Sequence, residues 1–573
     1  MSEPSQPEGG GHAHGQLSLW DTVSIIVGIV IGSSIFTIPT IIFIRTAGPW
    51  EALGMWLLGG VFSFIGALCY AELATAYPRY GGDYVYITRG LDRPLGFLFG
   101  WSQLAVILTA STGAMAFIFG DYGTRLFDVN ANPQQAVLSK AEESLKQKKE
   151  ETASLGEKER DAALSSVVAQ KKQAESELQN RQKEIGLFAA QLGVGAVIVL
   201  TLLNFFGVVL GKWLQNVLVL IKLSGLLLIV LAAIIVPVDN AFTVNEGTTR
   251  GQSGIPGAMI LVLYAFGGWN DAAFVAADLK DRRNITKALL FSTLGITAIY
   301  LLVNFAYIWS IGYEPGRRFN FAMPAEIMTK AFTKIGGEDA GPIGGKIISA
   351  IIMISALGAM NGLIYTGSRV YLPLGKEHRV FGFLGYWNKT LKSPMLALIA
   401  QALVSISMIL IVGTEQGRDG VDHVLTTVGI PAIPWAEHFG GFNTLFDGSA
   451  PVFWIFFLLT GISMFALRAR DPKIERPFML KPPFYPTLPI IFCGMCLFGF
   501  WSAMTTAGWV CLLGFIPLSI GLPLYWISGK GHEPAESVEV ATGVVDQVED
   551  QKIPHAMEND ENPPPADSFR EKQ

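Results

Sequence analysis

The chain is short of cysteine, short of charge and empty of phosphate-binding loops, and each scarcity excludes something. Four cysteines occur in 573 residues, Cys69, Cys493, Cys496 and Cys511, and all lie in or beside apolar stretches. None falls in a segment expected to face the exterior, which excludes a disulfide-stapled extracellular domain. Cys493 and Cys496 have the spacing of a metal half-site, but no second pair or nearby histidine completes it, so no metal is expected. Charged residues make up 16% of the chain, against about 25% in soluble domains. No Gly-x4-Gly-Lys-Ser/Thr segment occurs, so ATP is not expected to drive the protein directly. No nucleophile–base set stands out. An enzyme, a cofactor and a nucleic-acid partner are therefore not expected.

What the chain does have is apolar length. Half of its residues are hydrophobic and its mean hydropathy is +0.40. Stretches long enough to cross a ~30 Å hydrocarbon core recur about twelve times. They run over residues 19–44, 51–77, 94–120, 186–207, 213–237, 255–276, 288–312, 344–368, 394–413, 451–468, 486–505 and 508–528, numbered here as spans 1 to 12. The fold class is all-α, a polytopic membrane protein. Residues 1–17 are polar and Gly/His-rich without the basic region of a cleavable signal, and are expected to be a disordered cytoplasmic segment. Lysine and arginine set the orientation. With the N-terminus inside, cytoplasmic connections hold Arg79, Arg89, Arg93, Lys280, Arg282, Arg283 and many more, while the short outer loops hold few. That asymmetry predicts cytoplasmic N- and C-termini in a multi-pass protein of the cell membrane.

Two spans are interrupted by glycine in mid-membrane. Span 1 contains Gly28 and then Gly32-Ser33-Ser34, and span 6 contains Tyr264-Ala265-Phe266-Gly267-Gly268-Trp269. A helix break frees backbone groups that cost several kcal/mol if unpaired in hydrocarbon, so breaks persist where they line a cavity. Breaks at matching places in two halves of a chain point to a transporter's binding site. Helix packing through small residues is the competing reading of each glycine taken alone.

Two segments depart from the pattern, dividing the chain into a core of 18–131 and 185–528, an insertion at 132–184 and a tail at 529–573. The insertion is rich in Lys, Glu, Gln and Ala. Its apolar residues Leu138, Ala141 and Leu145, then Leu164, Val167, Ala174 and Leu178, follow helical spacing with Gly156 between the two sets. They predict an extracytoplasmic hairpin of two antiparallel helices whose seam Lys171 and Arg181 interrupt; a charged, unstructured loop stays open as the alternative. It is the expected docking point for a noncovalent protein partner. The tail is acidic and Pro-containing and is expected to be disordered in the cytoplasm.

Beyond these physical readings, the motifs carry a family resemblance. Gly32-Ser33-Ser34-Ile35-Phe36 resembles the Gly-Ser-Gly-Ile-Phe signature of the amino acid–polyamine–organocation superfamily. Gly66-Ala67-Leu68-Cys69-Tyr70-Ala71-Glu72-Leu73, with Pro78 and Gly81-Gly82-Asp83-Tyr84-Val85-Tyr86, resembles its L-type amino acid transporter branch. Gly267-Gly268-Trp269-Asn270, Asn361-Gly362, Ser368-Arg369 and Arg476-Pro477-Phe478 are similar to the same branch. The resemblance implies two inverted five-helix repeats plus two further helices, with helices 1 and 6 discontinuous. It implies substrate carboxylate contacts at Gly32, Ser33 and Ser34, amine contacts at the carbonyls of Val30, Tyr264 and Gly267, and Phe266 and Trp269 flanking the side-chain pocket or gating it. Ser34 stands where the family has glycine and narrows the approach. Half-helix ends suit such a zwitterion, because free N–H groups attract a carboxylate and free carbonyls an ammonium.

Ionisable residues within spans are functional candidates by default. Lys222 lies deep in span 5 and, by the resemblance, replaces a sodium ion by bracing spans 1 and 8; the broken first span offers its ammonium spare carbonyls near Val27 and Gly28. Asp271 follows the span 6 motif where branch members often carry an aromatic residue, and Glu72 sits near the inner end of span 2. The expected function is secondary transport of L-amino acids, neutral ones foremost, by alternating access in the lipid bilayer. Proton coupling and amino acid exchange both remain open. A polyamine or amine antiporter, and a nontransporting amino acid sensor, are the competing readings.

Overall fold

The computed structural model describes residues 17–32, 34–152, 156–251, 254–318, 323–388, 390–433, 435 and 440–529. The expectations for residues 1–16, for Ser33 and for the tail from 530 onward lie outside the described residues. Among the described residues the structure is helical, with two isolated bridges and no strand. Ten stretches are long and apolar enough to cross a membrane, and the bent pair Leu19–Val30 and Ser34–Arg45 makes an eleventh. The last of the ten, Phe484–Ser528, has 45 residues, about 67 Å of helix and twice a ~30 Å core. Gly508, with φ +52°, breaks it between Phe484–Ala507 and Leu512–Ser528. Counted separately, these halves are spans 11 and 12.

Local chemistry explains both mid-membrane breaks. In span 1, Ser18 caps the helix Leu19–Val30 in a box with Asp21, each satisfying the other's backbone N–H. The helix stops at Ile31, which leaves helical geometry at ψ +72°. It resumes at Ser34 with a 45° change of direction. In span 6 the helix Gly254–Ala265 gives way at Gly268, whose φ of +104° is a conformation that favours glycine. A tighter 3-10 segment, Trp269–Asp278, continues the span. A ten-residue run of that kind is long, and such stretches often mark functional hinges.

The two breaks meet. A Cβ at Gly268 would come within 2.4 Å of the Ile29 side chain, and so would one at Gly362 of span 8. Span 8, Gly341–Glu377, therefore packs directly behind the first break. Its Ser355 hydroxyl donates to the Gly32 carbonyl at 3.0 Å, meeting an acceptor that the break released. Span 3 completes the wall with a π-turn at Gln103–Ile107.

The insertion is a hairpin, but its second arm has no end at residue 184. After the helix Asn132–Glu151, the helix Glu157–Phe205 runs 49 residues without interruption into span 4. Leu164, Ala174 and Leu178 are buried in the seam, as their spacing predicts. Lys171 and Arg181 tie the seam where they were expected to spoil it. Lys171 lies 3.6 Å from Glu142 of the other arm, and Arg181 donates to the Asn130 carbonyl at 3.2 Å.

Candidate functional site

A cavity of about 90 Å³ opens where the breaks meet, several times the volume that one water requires. Span 1 contributes Val30, Gly32 and Ser34, and span 6 contributes Tyr264, Gly267, Gly268, Asn270 and Asp271. Leu108 and Met115 of span 3, Leu363 of span 8, and Phe446 and Phe453 of span 10 supply apolar wall. The Tyr264 ring packs on Phe446 with centroids 4.0 Å apart. Most sequence-derived candidates thus line one space.

The backbone acceptors are not all open. The Val30 carbonyl accepts the Gly32 N–H at 2.8 Å and lies 2.9 Å from the Tyr300 hydroxyl. A carbonyl has two lone pairs, so in this conformation an amine at Val30 competes with the Tyr300 hydroxyl. Tyr300 is also 2.9 Å from the Ala265 carbonyl and shares its one proton between the two broken helix ends. The Tyr264 carbonyl accepts the Gly267 N–H at 2.8 Å and keeps its second lone pair.

Phe266 and Trp269 do not flank the cavity. Phe266 packs between Trp56 and Tyr300, and Trp269 sits edge-on to Tyr70 and beside Phe457, over Gly66. The 3-10 segment turns about 120° per residue instead of 100°. Asn270 and Asp271, the two residues after Trp269, line the cavity.

The three ionisable candidates separate cleanly. Lys222 is fully buried behind span 1 and donates to the Gly28 carbonyl at 2.7 Å. Its ammonium lies against span 8, 3.4 Å from where a Cβ on Gly358 would stand. A side-chain amide network continues this brace: Asn361 of span 8 donates to Gln215 of span 5 at 2.8 Å and accepts from Asn204 of span 4 at 2.9 Å. Glu72 sits in a buried ion-pair cluster. Arg468 grips both its oxygens, Arg476 lies 3.7 Å away, and the Leu480 N–H donates to it at 2.8 Å. Its charge is matched by two guanidiniums. Asp271 lines the cavity and accepts one hydrogen bond, from Asn270 at 2.9 Å.

Sequence reasoning missed a closure on the N-terminal side of the cavity. Leu17 pairs through its backbone with Asp278 and Lys280, joining the start of span 1 to the end of span 6. The Asp278 carboxylate takes hydrogen bonds from Arg369 and Tyr365 at 3.3 Å, while Tyr80 donates to its other oxygen. The Arg369 guanidinium also stacks 3.7 Å over the Tyr365 ring. Ser368-Arg369, a motif known only by resemblance, was the available signal. Tyr300 and Gln215 gave none, since an aromatic or amide in an apolar run does not announce its partner.

Comparison with known proteins agrees with this architecture. Residues 17–520 match the family model described as amino acid permease. The serine/threonine exchanger SteT of Bacillus subtilis is 24% identical over 516 residues, covering 89% of this chain and 96% of its own. The human b(0,+)-type amino acid transporter 1 is 23% identical over 482 residues, 82% of this chain and 80% of its own. The human large neutral amino acids transporter small subunit 2 is 24% identical over 540 residues, 91% of this chain and 83% of its own.

Proposed function

The chain belongs to the amino acid permease family, and on that premise we propose how its secondary transport of amino acids works: one zwitterionic substrate, neutral overall, is held between the breaks of spans 1 and 6. The observation that carries this is the meeting of both breaks at one cavity. The half-helix starting at Ser34 directs its free N–H groups there, suited to a carboxylate. The spare lone pair of the Tyr264 carbonyl, with Gly267 beside it, suits the ammonium. A polyamine calls for acids at both ends of its site, and Asp271 is the one carboxylate that lines the cavity among the described residues.

Alternating access follows from what holds the breaks. Lys222 binds span 1 to the spans behind it through the Gly28 carbonyl, so it couples occupation of the cavity to movement of span 1. The Leu17–Asp278–Arg369 closure shuts the N-terminal side in this conformation and must part for release there. In the cell membrane that side is cytoplasmic, as the lysine and arginine distribution supports. The hairpin would then stand outside the cell, where a noncovalent partner could reach it.

The test is uptake of radiolabelled amino acids into proteoliposomes, with and without internal amino acid and a pH gradient. Sodium-independent uptake of a neutral L-amino acid is expected, and trans-stimulation identifies exchange. Binding without flux in oriented vesicles would make the protein a sensor.

A further inference from the structure

Asp271 and its neighbour Asn270 are a polar corner of a wall that is otherwise largely apolar apart from the hydroxyl-bearing Ser34, Ser111, Ser449 and Tyr264. Both are at least 95% buried, and both line the cavity. The Asn270 amide nitrogen donates to Asp271 at 2.9 Å. That bond fixes which way the amide points, because the reverse orientation would set two oxygens against each other. The Asn270 oxygen is consequently turned away from Asp271 and has no hydrogen-bond partner. No ion pair to Asp271 forms among the described residues. The corner therefore holds more acceptors than donors: the Asn270 amide has one N–H left, against its own unmet oxygen and the lone pairs of the Asp271 carboxylate.

We infer that Asn270 and Asp271 select the substrate's side chain, favouring amino acids with a short-reach hydrogen-bond donor, a hydroxyl or carboxamide. The inference rests on the proposed location of the substrate and adds what that location does not specify. A buried acceptor left unmet is costly, whereas the apolar walls from Leu108, Leu363 and Phe453 cannot tell a hydroxyl from a methyl of the same shape. Sites built to hydrogen-bond a substrate group reject the analogue lacking it far more strongly than apolar pockets reject an added hydroxyl. Isosteric pairs isolate this effect: threonine with valine, and asparagine with leucine.

The experiment is competition by these four amino acids for uptake or binding in the purified full-length protein. Threonine over valine and asparagine over leucine are each expected by about tenfold or more. In Asp271→Leu both ratios should collapse towards one, with the apolar members gaining. Asp271→Asn, which keeps an acceptor, should lie between. Thermal unfolding of each variant checks folding; if Asp271→Leu does not fold, a ratio at least threefold lower in Asp271→Asn carries the inference. Wild-type ratios within twofold of one, or ratios unchanged in folded variants, overturn it while leaving the transport site in place. Lysine uptake that exceeds threonine uptake and disappears in Asp271→Asn also overturns it, making Asp271 a counter-ion for cations. If no amino acid binds or moves, the proposed site itself has failed.

Discussion

Lys222 and Asp271 are both ionisable, both buried in a membrane span and both beside a broken helix, yet they are spent differently. Lys222 finds its acceptor inside the protein, in a carbonyl that span 1 releases. Among the described residues Asp271 finds only a neighbouring amide, and it lines a cavity. The contrast teaches how to sort intramembrane charges. One that is satisfied by broken backbone belongs to the moving frame, and one left short of partners at a cavity wall belongs to the solute.

The strongest way to break the comparison is Lys222→Ala. It removes a charge-assisted hydrogen bond of about 1.5–3 kcal/mol from the contact between span 1 and its support. Transport is expected to fall roughly ten- to a hundredfold, while substrate affinity in a binding assay changes far less. Lys222→Arg should rescue only in part, because a planar guanidinium does not occupy an ammonium's place against Gly358. A variant that transports at the wild-type rate would make Lys222 an ordinary structural residue, and the sorting rule would lose its first case.

Glu72 sharpens the comparison from the opposite side. It is as buried as Lys222, but its partners are two arginines and a backbone N–H. Glu72→Gln leaves buried guanidiniums uncompensated and should cost about 3–5 kcal/mol of stability, seen as a lower unfolding temperature in detergent. Per folded molecule, transport should stay near wild type. Normal stability with lost transport would return Glu72 to the coupling machinery.

How much of this was legible in the sequence depended on whether backbone or side chain decided the matter. The breaks were legible because glycine in an apolar run has few other reasons to cluster, and the Lys222 contact because a break is where a buried ammonium finds spare carbonyls. Phe266 and Trp269, given a place beside the pocket or in its gate by the resemblance alone, pack outside the cavity lining among Trp56, Tyr300, Tyr70 and Phe457. Tyr300, which ties both broken ends, lay among apolar neighbours of span 7 that give a tyrosine no distinctive spacing. The boundary near residue 184 was legible as a change of solvent but not as a change of structure. Composition there switches from charged to apolar while the helix simply continues.

That continuity makes the insertion the region with the smallest expected effect on transport. Residues 132–184 rise from one long helix and meet the rest of the chain through contacts such as Lys183 with Glu415 at 2.9 Å, an exposed ion pair worth about 0–1 kcal/mol. The arms are already close at their base, since Arg181 reaches the Asn130 carbonyl. A short Gly/Ser bridge can therefore replace the hairpin without moving span 3 or span 4. None of the described residues of that stretch lines the cavity between spans 1 and 6. Substrate affinity and the Thr/Val ratio should stay within about twofold of wild type, because only weak surface contacts are lost; the unfolding temperature should fall slightly. Loss of affinity in a well-folded deletion variant would extend the substrate pathway beyond the membrane and into the hairpin, and the division between frame and solute site would have to be redrawn there.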